Sequence, residues 1–117
     1  MATYGEIIVC DIKRSTLDTD AIILTLGKQG VVFDVTGWTA EITINVTKDG
    51  LTEPNVFEAS GGVYGDPLNG QLEIDMSSFA LAAGKYYHDI RIIDALSRGR
   101  ESLAGSFTVT QRIEKAP

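Results

Sequence analysis

The feature that most constrains this chain is a two-residue alternation of apolar and polar side chains over residues 38–47. The apolar positions are Trp38, Ala40, Ile42, Ile44 and Val46, and every position between them is polar. Successive side chains of a β-strand point to opposite faces of a sheet, whereas helical spacing would scatter these apolar residues around a cylinder. The segment therefore predicts a strand with one buried face.

The same period recurs along the chain. Strands are expected over residues 6–12, 20–26, 71–76, 85–94 and 103–109, and another is expected to begin at residue 31 as the partner of 20–26. The first should lie near a sheet edge, whereas the nearly continuous apolar run 20–26 is expected to be covered on both faces. In the other three strands the alternation predicts which side chains face inward. These are Leu72, Ile74 and Met76 in 71–76, Tyr86, His88, Ile90 and Ile92 in 85–94, and Leu103, Phe107 and Val109 in 103–109.

Turn and loop residues separate these strands. Residues 27–30 are expected to form a tight turn, and the serine-led, glycine-ended segment 77–84 predicts one helical turn. The stretch 51–67 is rich in loop residues and is expected to hold at most a short strand over 55–59. Within that stretch, Gly61 and Gly62 are interpreted as turn glycines.

Short strands at about ten-residue spacing predict an all-β fold, an antiparallel sandwich or small barrel of about seven strands with one short helical turn. A chain of 117 residues has the size of one domain, so we expect a single domain over 1–117 with 109–117 as an extended tail. No alternation of strands and helices is present in the pattern, which disfavours a parallel nucleotide-binding sheet.

The charge balance narrows the classes of partner. Sixteen acidic residues against ten basic ones give a formal net charge of −6. Nucleic-acid binding and attraction to an anionic membrane both require a basic surface, so neither is expected. The first residues lack the pattern of a secretory signal, and no apolar run reaches bilayer-spanning length, so folding in a cytoplasm is expected.

Candidate catalytic and metal-binding residues are few. The single histidine, His88, lies mid-strand and is expected to be partly buried rather than catalytic, and Cys10 is expected to be a small buried hydrophobe. Asp18 and Asp20 could ligate calcium in principle, but a solvated turn is the favoured interpretation because the EF-hand spacing is absent. We therefore expect no enzymatic activity, metal, cofactor or small-molecule substrate.

Aromatic residues offer the candidates for a contact surface. Phe57 and Tyr64 are predicted to lie in the long loop, where they either anchor an interface or collapse onto the end of the fold. Adjacent strand residues face opposite ways, so Tyr87 is expected on the face opposite Tyr86, either under a loop or at a contact surface. Trp38 is expected to fill the core.

The order of motifs resembles a known family. Asp34-Val35-Thr36-Gly37 precedes the long strand, followed by Asn69-Gly70-Gln71-Leu72-Glu73-Ile74, Ala83-Gly84-Lys85-Tyr86 and Gly105-Ser106-Phe107-Thr108-Val109. Over residues 12–109 the chain resembles the immunoglobulin-like N-terminal domain of phage baseplate upper proteins and related tailed-phage virion proteins. The resemblance implies an immunoglobulin-like sandwich, a turn at residues 34–37, and a Tyr86 side chain that satisfies the backbone of a loop.

The same resemblance implies a function in virion assembly. It implies an adaptor that binds other virion proteins in multiple copies on a symmetric particle, with attachment of fibres to a baseplate or tail favoured. Capsid decoration or a neck position is the alternative on the phage head, and a carbohydrate- or receptor-binding module is the alternative of another class. Contacts are expected from the chain ends, including Arg112 and Ile113, and from residues 56–64.

Overall fold

The structure, a computed structural model, describes residues 7–9, 12–16, 18–47 and 55–111, and apart from one 3-10 turn every regular element in them is a strand. The strands are β1 (Ile7–Val9), β2 (Ile12–Ser15), β3 (Ile22–Thr25), β4 (Gly27–Lys28), β5 (Val31–Val32), β6 (Thr39–Asn45), β7 (Phe57–Val63), β8 (Gln71–Ile74), β9 (Gly84–Ile93) and β10 (Gly99–Thr110). The 3-10 turn spans Pro67–Asn69. The predicted all-β class is confirmed, and no helix in these ranges is long and apolar enough to cross a membrane.

The main sheet has the strand order β1, β10, β9, β6, β7, β8, β3, and β2 also pairs with β10. All neighbours are antiparallel except β1 and β2, which both run parallel to β10. Ile7 lies opposite Ser102 and Ile12 opposite Phe107, so both strands keep one register along β10. The sheet is therefore mixed rather than purely antiparallel, and β10 extends through Thr110 into the predicted tail.

The sheet curls so that its inward side chains pack on one another. The predicted inward residues within β6, β8, β9 and β10 are buried, except Tyr86, which is half-buried. Met76 after β8, Val35 before β6 and Phe79 between β8 and β9 are buried as well. Trp38 is half-buried against this cluster, and Val46, one residue past β6, is exposed. Burial of these aliphatic and aromatic side chains is the main source of stability in a domain of this size.

Strand β7 corrects the prediction of a long loop. It overlaps the short strand expected over 55–59 and continues to Val63, so Gly61 and Gly62 lie inside a strand rather than in a turn. Its first half pairs with β6 and its last residues pair with β8, while Gly61 is opposite both Ala40 and Ile74. A Cβ at Gly61 would overlap the Glu73 carbonyl oxygen, so glycine is required here because two backbones approach closely.

Two further predictions are wrong in detail. The segment 20–26 is not covered on both faces, because β3 is the last strand of the sheet and its side chains alternate between half-buried and exposed. Residues 77–84 form no helical turn, and the chain instead reverses where the Phe79 N–H donates to the Met76 carbonyl. The 3-10 turn at Pro67–Asn69 is the only helical element in the described ranges.

Both structural motifs of the resemblance are formed. The Trp38 N–H donates to the Val35 carbonyl (2.9 Å) and Gly37 has φ 78°, which makes residues 35–38 a tight turn before β6. The carboxylate of Asp34 accepts from the Thr36 hydroxyl (2.6 Å) and N–H (3.1 Å), and these bonds hold its pKa below the usual value. The Tyr86 hydroxyl donates to the Ala82 carbonyl (2.8 Å), so this side chain bonds to the backbone of a loop as expected.

Replacing Tyr86 with phenylalanine should lower the free energy of unfolding by about 1 kcal/mol, because it removes this one bond and keeps the ring. The change can be measured by urea denaturation. A Tyr87→Phe variant is the control, since its hydroxyl lies on the opposite face of β9 and we expect a smaller effect. Equal losses in the two variants would contradict a structural function of the bond to Ala82.

Candidate interaction surfaces

Three segments that connect strands lie at one end of the fold: the region between β3 and β6, the β7–β8 connection and the β9–β10 turn. The Leu26 N–H donates to the Gly70 carbonyl (2.8 Å) and the Val35 N–H to the Pro67 carbonyl (3.1 Å), which joins the β4–β5 region to the β7–β8 connection. A Cβ built on Gly37 would lie 3.1 Å from the Cβ of Ala95, so the β9–β10 turn reaches the same end. The end is therefore built from backbone segments that are fixed against each other.

Local sequence explains each connection. Gln29 and Gly30 both have positive φ, as a two-residue hairpin turn requires, and Gly30 adopts that conformation without strain. The Asp66 carboxylate accepts from the Leu68 N–H (2.9 Å), and the 3-10 turn begins with Pro67, whose φ is fixed. These signals place two apolar-tipped loops side by side.

The β9–β10 turn is organised by Asp94, whose carboxylate is buried. One oxygen accepts from the N–H groups of Leu96 (2.9 Å) and Arg98 (3.0 Å), and the other accepts from the Arg98 guanidinium (3.1 Å). Asp94 thereby holds the turn in one conformation and leaves Leu96 facing solvent.

Five of the eight exposed large apolar residues in the described ranges lie on these connections. Their exposed fractions are Val31 68%, Val32 45%, Tyr64 44%, Leu68 62% and Leu96 70%. We call these five residues the apolar end. Apolar side chains scattered singly need no explanation, but a concentration on adjacent, rigid loops is typical of a surface that another protein covers.

The sequence-predicted contact residues do not converge on one site. Tyr64 directly follows β7 and belongs to the apolar end, as a surface contact would. Phe57 opens β7 instead of lying in a loop, and its half-buried ring packs edge-on against Phe79 at 5.6 Å. Arg112 and Ile113 lie outside the described residues.

Tyr87 lies on the sheet face opposite the core, as predicted. It is half-buried between Asn45 of β6 and Ser106 of β10, and the Lys85 ammonium lies 5.9 Å from its ring centroid. Across the sheet, Tyr87 lies near the first residue of β7, whereas Tyr64 follows the last residue of β7. The two tyrosines therefore lie on separate surfaces.

The structure gives no support to a catalytic His88. The side chain is buried, and its ring meets the Phe107 ring edge-on with centroids 6.1 Å apart. Cys10 lies outside the described residues.

The Asp18–Asp20 segment is bound by the side chain of Arg14. The buried Arg14 guanidinium lies 3.1 Å from the Asp18 carboxylate and also donates to the backbone carbonyls of Asp18 and Asp20. The Asp20 N–H donates to the same carboxylate (3.0 Å), which closes a turn. Within the described ranges no group of three or more histidine, cysteine, aspartate or glutamate side chains could hold a metal ion.

Strand β3 presents a backbone edge. Alternate residues of an antiparallel strand turn their N–H and C=O groups to the same side, and Leu26 donates to Gly70 in the β8 direction. By this alternation Ile22 and Leu24 face β8, while Ile23 and Thr25 turn their backbone groups away from it. No other strand of the described ranges pairs with that side.

Carboxylates surround this edge. Glu73 of β8 lies opposite Ile23, Asp75 follows β8, and Asp20 precedes β3. The Asp75 carboxylate accepts a hydrogen bond from the Ser77 N–H (2.9 Å), and the Ser77 hydroxyl makes a smaller contribution. Both stabilise the charged form of Asp75 and hold its pKa below the usual value. Neither residues 18–26 nor residues 71–76 contain a lysine or arginine. The Arg14 guanidinium pairs with Asp18, and the carboxylates of Asp20, Glu73 and Asp75 keep the charge beside the edge negative at neutral pH.

Comparison with known proteins gives similarity to solved structures but no family. No protein-family model matches the chain, and no curated protein matches it. Among solved structures, the N-terminal domain of phage TP901-1 ORF48 is similar, with 14% sequence identity, a TM-score of 0.48, and coverage of 90% of this chain and 85% of that chain. The case for a function therefore rests on the residues of this chain.

Proposed function

We propose that the protein is a non-enzymatic structural component of a tailed-phage virion that binds other virion proteins. It acts as an adaptor or accessory domain, present in multiple copies, with attachment of fibres to a baseplate or tail as the favoured position. The observation that carries this proposal is the apolar end, where five exposed apolar side chains stand on the β4–β5 hairpin and on neighbouring loops, joined by backbone hydrogen bonds.

The chemistry of this surface suits association between proteins better than catalysis or glycan binding. Rigid loops lose little conformational entropy when a partner covers them, so the burial of their apolar side chains is retained as binding energy. Glycan binding would use exposed aromatic platforms, but Phe57 packs on Phe79 and Tyr64 is the single exposed aromatic residue at the apolar end. The resemblance over residues 12–109 supports a virion as the location.

Particle composition tests the proposal directly. Virions of the phage that encodes this chain would be purified on a density gradient, and the chain would be quantified by mass spectrometry. We expect a fixed number of copies per particle, consistent with symmetry, and recovery with tails after heads and tails are separated. Recovery with heads would indicate capsid decoration or a neck position, and absence from purified particles would contradict the proposal.

A substitution within the apolar end should reduce incorporation. Val31→Asp places a charge on the hairpin tip, which is solvated in the free protein but must be desolvated when a partner covers it. We expect about tenfold fewer copies per particle, equivalent to a loss of about 1.4 kcal/mol of binding free energy. Val46→Asp is the matched control, since Val46 is also exposed but lies one residue past β6, at the end of that strand away from the apolar end. Equal effects of the two substitutions would exclude the apolar end as the contact.

A further inference from the structure

One outer edge of the sheet is formed by β1 and β2, which both pair with β10, and the other by β3 alone. Strands β2 and β3 differ in how they are protected. Natural edge strands commonly carry charged side chains, proline or bulges that prevent pairing with another chain. On β2, Lys13 is exposed and the buried Arg14 is adjacent. Strand β3, by contrast, reads Ile-Ile-Leu-Thr and contains no charge, proline or glycine.

We propose that the free edge of β3 accepts an extended strand of a partner protein, and that this strand carries lysine or arginine side chains. The inference rests on the proposed function, because it specifies how the protein would bind a virion partner. Ile23 and Thr25 supply backbone donors and acceptors, as in other cases where a peptide extends an exposed sheet edge. Ile23 is 39% exposed, so its side chain offers an apolar contact on the outer face.

The carboxylates beside β3 favour a partner strand with basic side chains. A strand placed beside β3 would bring its outer-face side chains next to Ile23, with Glu73 on the neighbouring strand and Asp20 and Asp75 near the N-terminal end of β3. A lysine or arginine side chain can extend across Ile23 toward Glu73. A second copy of this chain fits poorly, since it carries a net charge of −6 and presents the same carboxylates.

The proposed strand site ends at the β4–β5 hairpin. Leu26, directly after β3, donates to the Gly70 carbonyl and accepts from the Phe33 N–H (3.0 Å). Both backbone groups of Leu26 therefore point toward β8, and β5 lies on that side of the hairpin, away from the free edge of β3. Backbone pairing with Ile23 and Thr25 would fix the register of the bound strand.

A proline substitution tests the backbone pairing. Ile23→Pro removes an N–H that points to the free edge and leaves the bonds of Ile22 and Leu24 to β8 intact, a position where proline is tolerated in edge strands. Ile23→Thr is the matched control, because threonine keeps the N–H and favours strands. Copies per purified particle are compared, with a cooperative thermal transition by circular dichroism as the check of folding.

We expect at least about tenfold fewer copies for Ile23→Pro and a change of less than about threefold for Ile23→Thr. If the wild-type chain and the Ile23→Pro variant were incorporated at equal levels, the edge proposal would be overturned while the proposed function would stand. Equal losses in both variants would also overturn it, since they would indicate a contact made only by the isoleucine side chain. Absence of the wild-type chain from particles would contradict the proposed function itself.

Charge variants test the partner's chemistry and remain usable if the proline variant fails to fold. Ile23→Glu should be incorporated at about tenfold higher levels than Ile23→Lys, because a basic partner strand attracts the first and repels the second. Equal incorporation, or the reverse order, would overturn the assignment of a basic strand. Light scattering that showed a wild-type dimer in solution, with Ile23→Thr dimeric and Ile23→Pro monomeric, would assign the edge to a second copy instead.

Discussion

Replacing Gly61 with alanine is expected to lower the free energy of unfolding by about 3 kcal/mol or more, a large part of the total stability of a domain of this size. The added Cβ would overlap the Glu73 carbonyl oxygen and approach the Ile74 Cα to 3.0 Å. Relief by backbone movement is blocked because Gly61 pairs with Ala40 on one side and Ile74 on the other. Urea denaturation followed by circular dichroism measures the loss.

Gly62→Ala is the matched control for this prediction. A Cβ at Gly62 would meet only the Trp38 carbonyl oxygen, at an ordinary contact distance of 3.8 Å, although the two glycines are adjacent in the same strand. We expect a change within about 0.5 kcal/mol, as for most substitutions away from tight packing. If Gly62→Ala were as destabilising as Gly61→Ala, the effect would come from glycine content and not from the approach of β7 to β8.

Gly61 also shows what a single sequence could not resolve. Glycine occurs both where a chain turns and where two backbones approach closely, and the pair Gly61-Gly62 beside other loop residues favoured a turn. The deciding contact is with Glu73, which is distant in sequence. Strand β7 pairs with β6 over its first residues and with β8 over its last. Such a change of partner leaves no pattern in the local sequence, so most of β7 was predicted as loop.

Prediction was reliable where burial alone determines the pattern. The inward residues of β8 and β9, including Leu72 and Ile90, alternate with polar residues, and the structure buries them as predicted. Residues 20–26 show the opposite case, because an apolar run is compatible with a central strand and with an edge used for binding. Sequence gives the apolar content of β3, but its place at the end of the sheet depends on pairing between distant segments.

The candidate surface was predicted only in part for the same reason. Tyr64 was correctly placed outside the regular strands, but Val31, Val32 and Leu68 were not singled out, because apolar residues near turns are usually covered. Their exposure follows from the bonds of Leu26 to Gly70 and of Val35 to Pro67, which hold the loops side by side. The turn signals Gln29-Gly30 and Asp66-Pro67 mark these loops, but not their adjacency.

Replacing Phe107 with alanine is expected to lower the free energy of unfolding by about 3–5 kcal/mol, the usual cost of truncating a fully buried phenylalanine. Phe107 is completely buried on β10, with ring centroids 5.8 Å from Phe79 and 6.1 Å from His88. Phe79 in turn contacts Phe57 and lies under the Arg14 guanidinium. The loss should appear as a lower midpoint of urea denaturation with an unchanged slope.

Thr108→Ala separates the loss of the core from a general effect on β10. Thr108 is the next residue of the same strand, paired with Lys85, and its side chain lies on the face opposite the core. We expect a change of less than about 1 kcal/mol, since no buried volume is removed. The Phe107 ring joins β10 to Phe79 on the connection between β8 and β9, so its removal should increase amide hydrogen exchange in both segments. Faster exchange confined to β10 would contradict a single core shared by the two halves of the curled sheet.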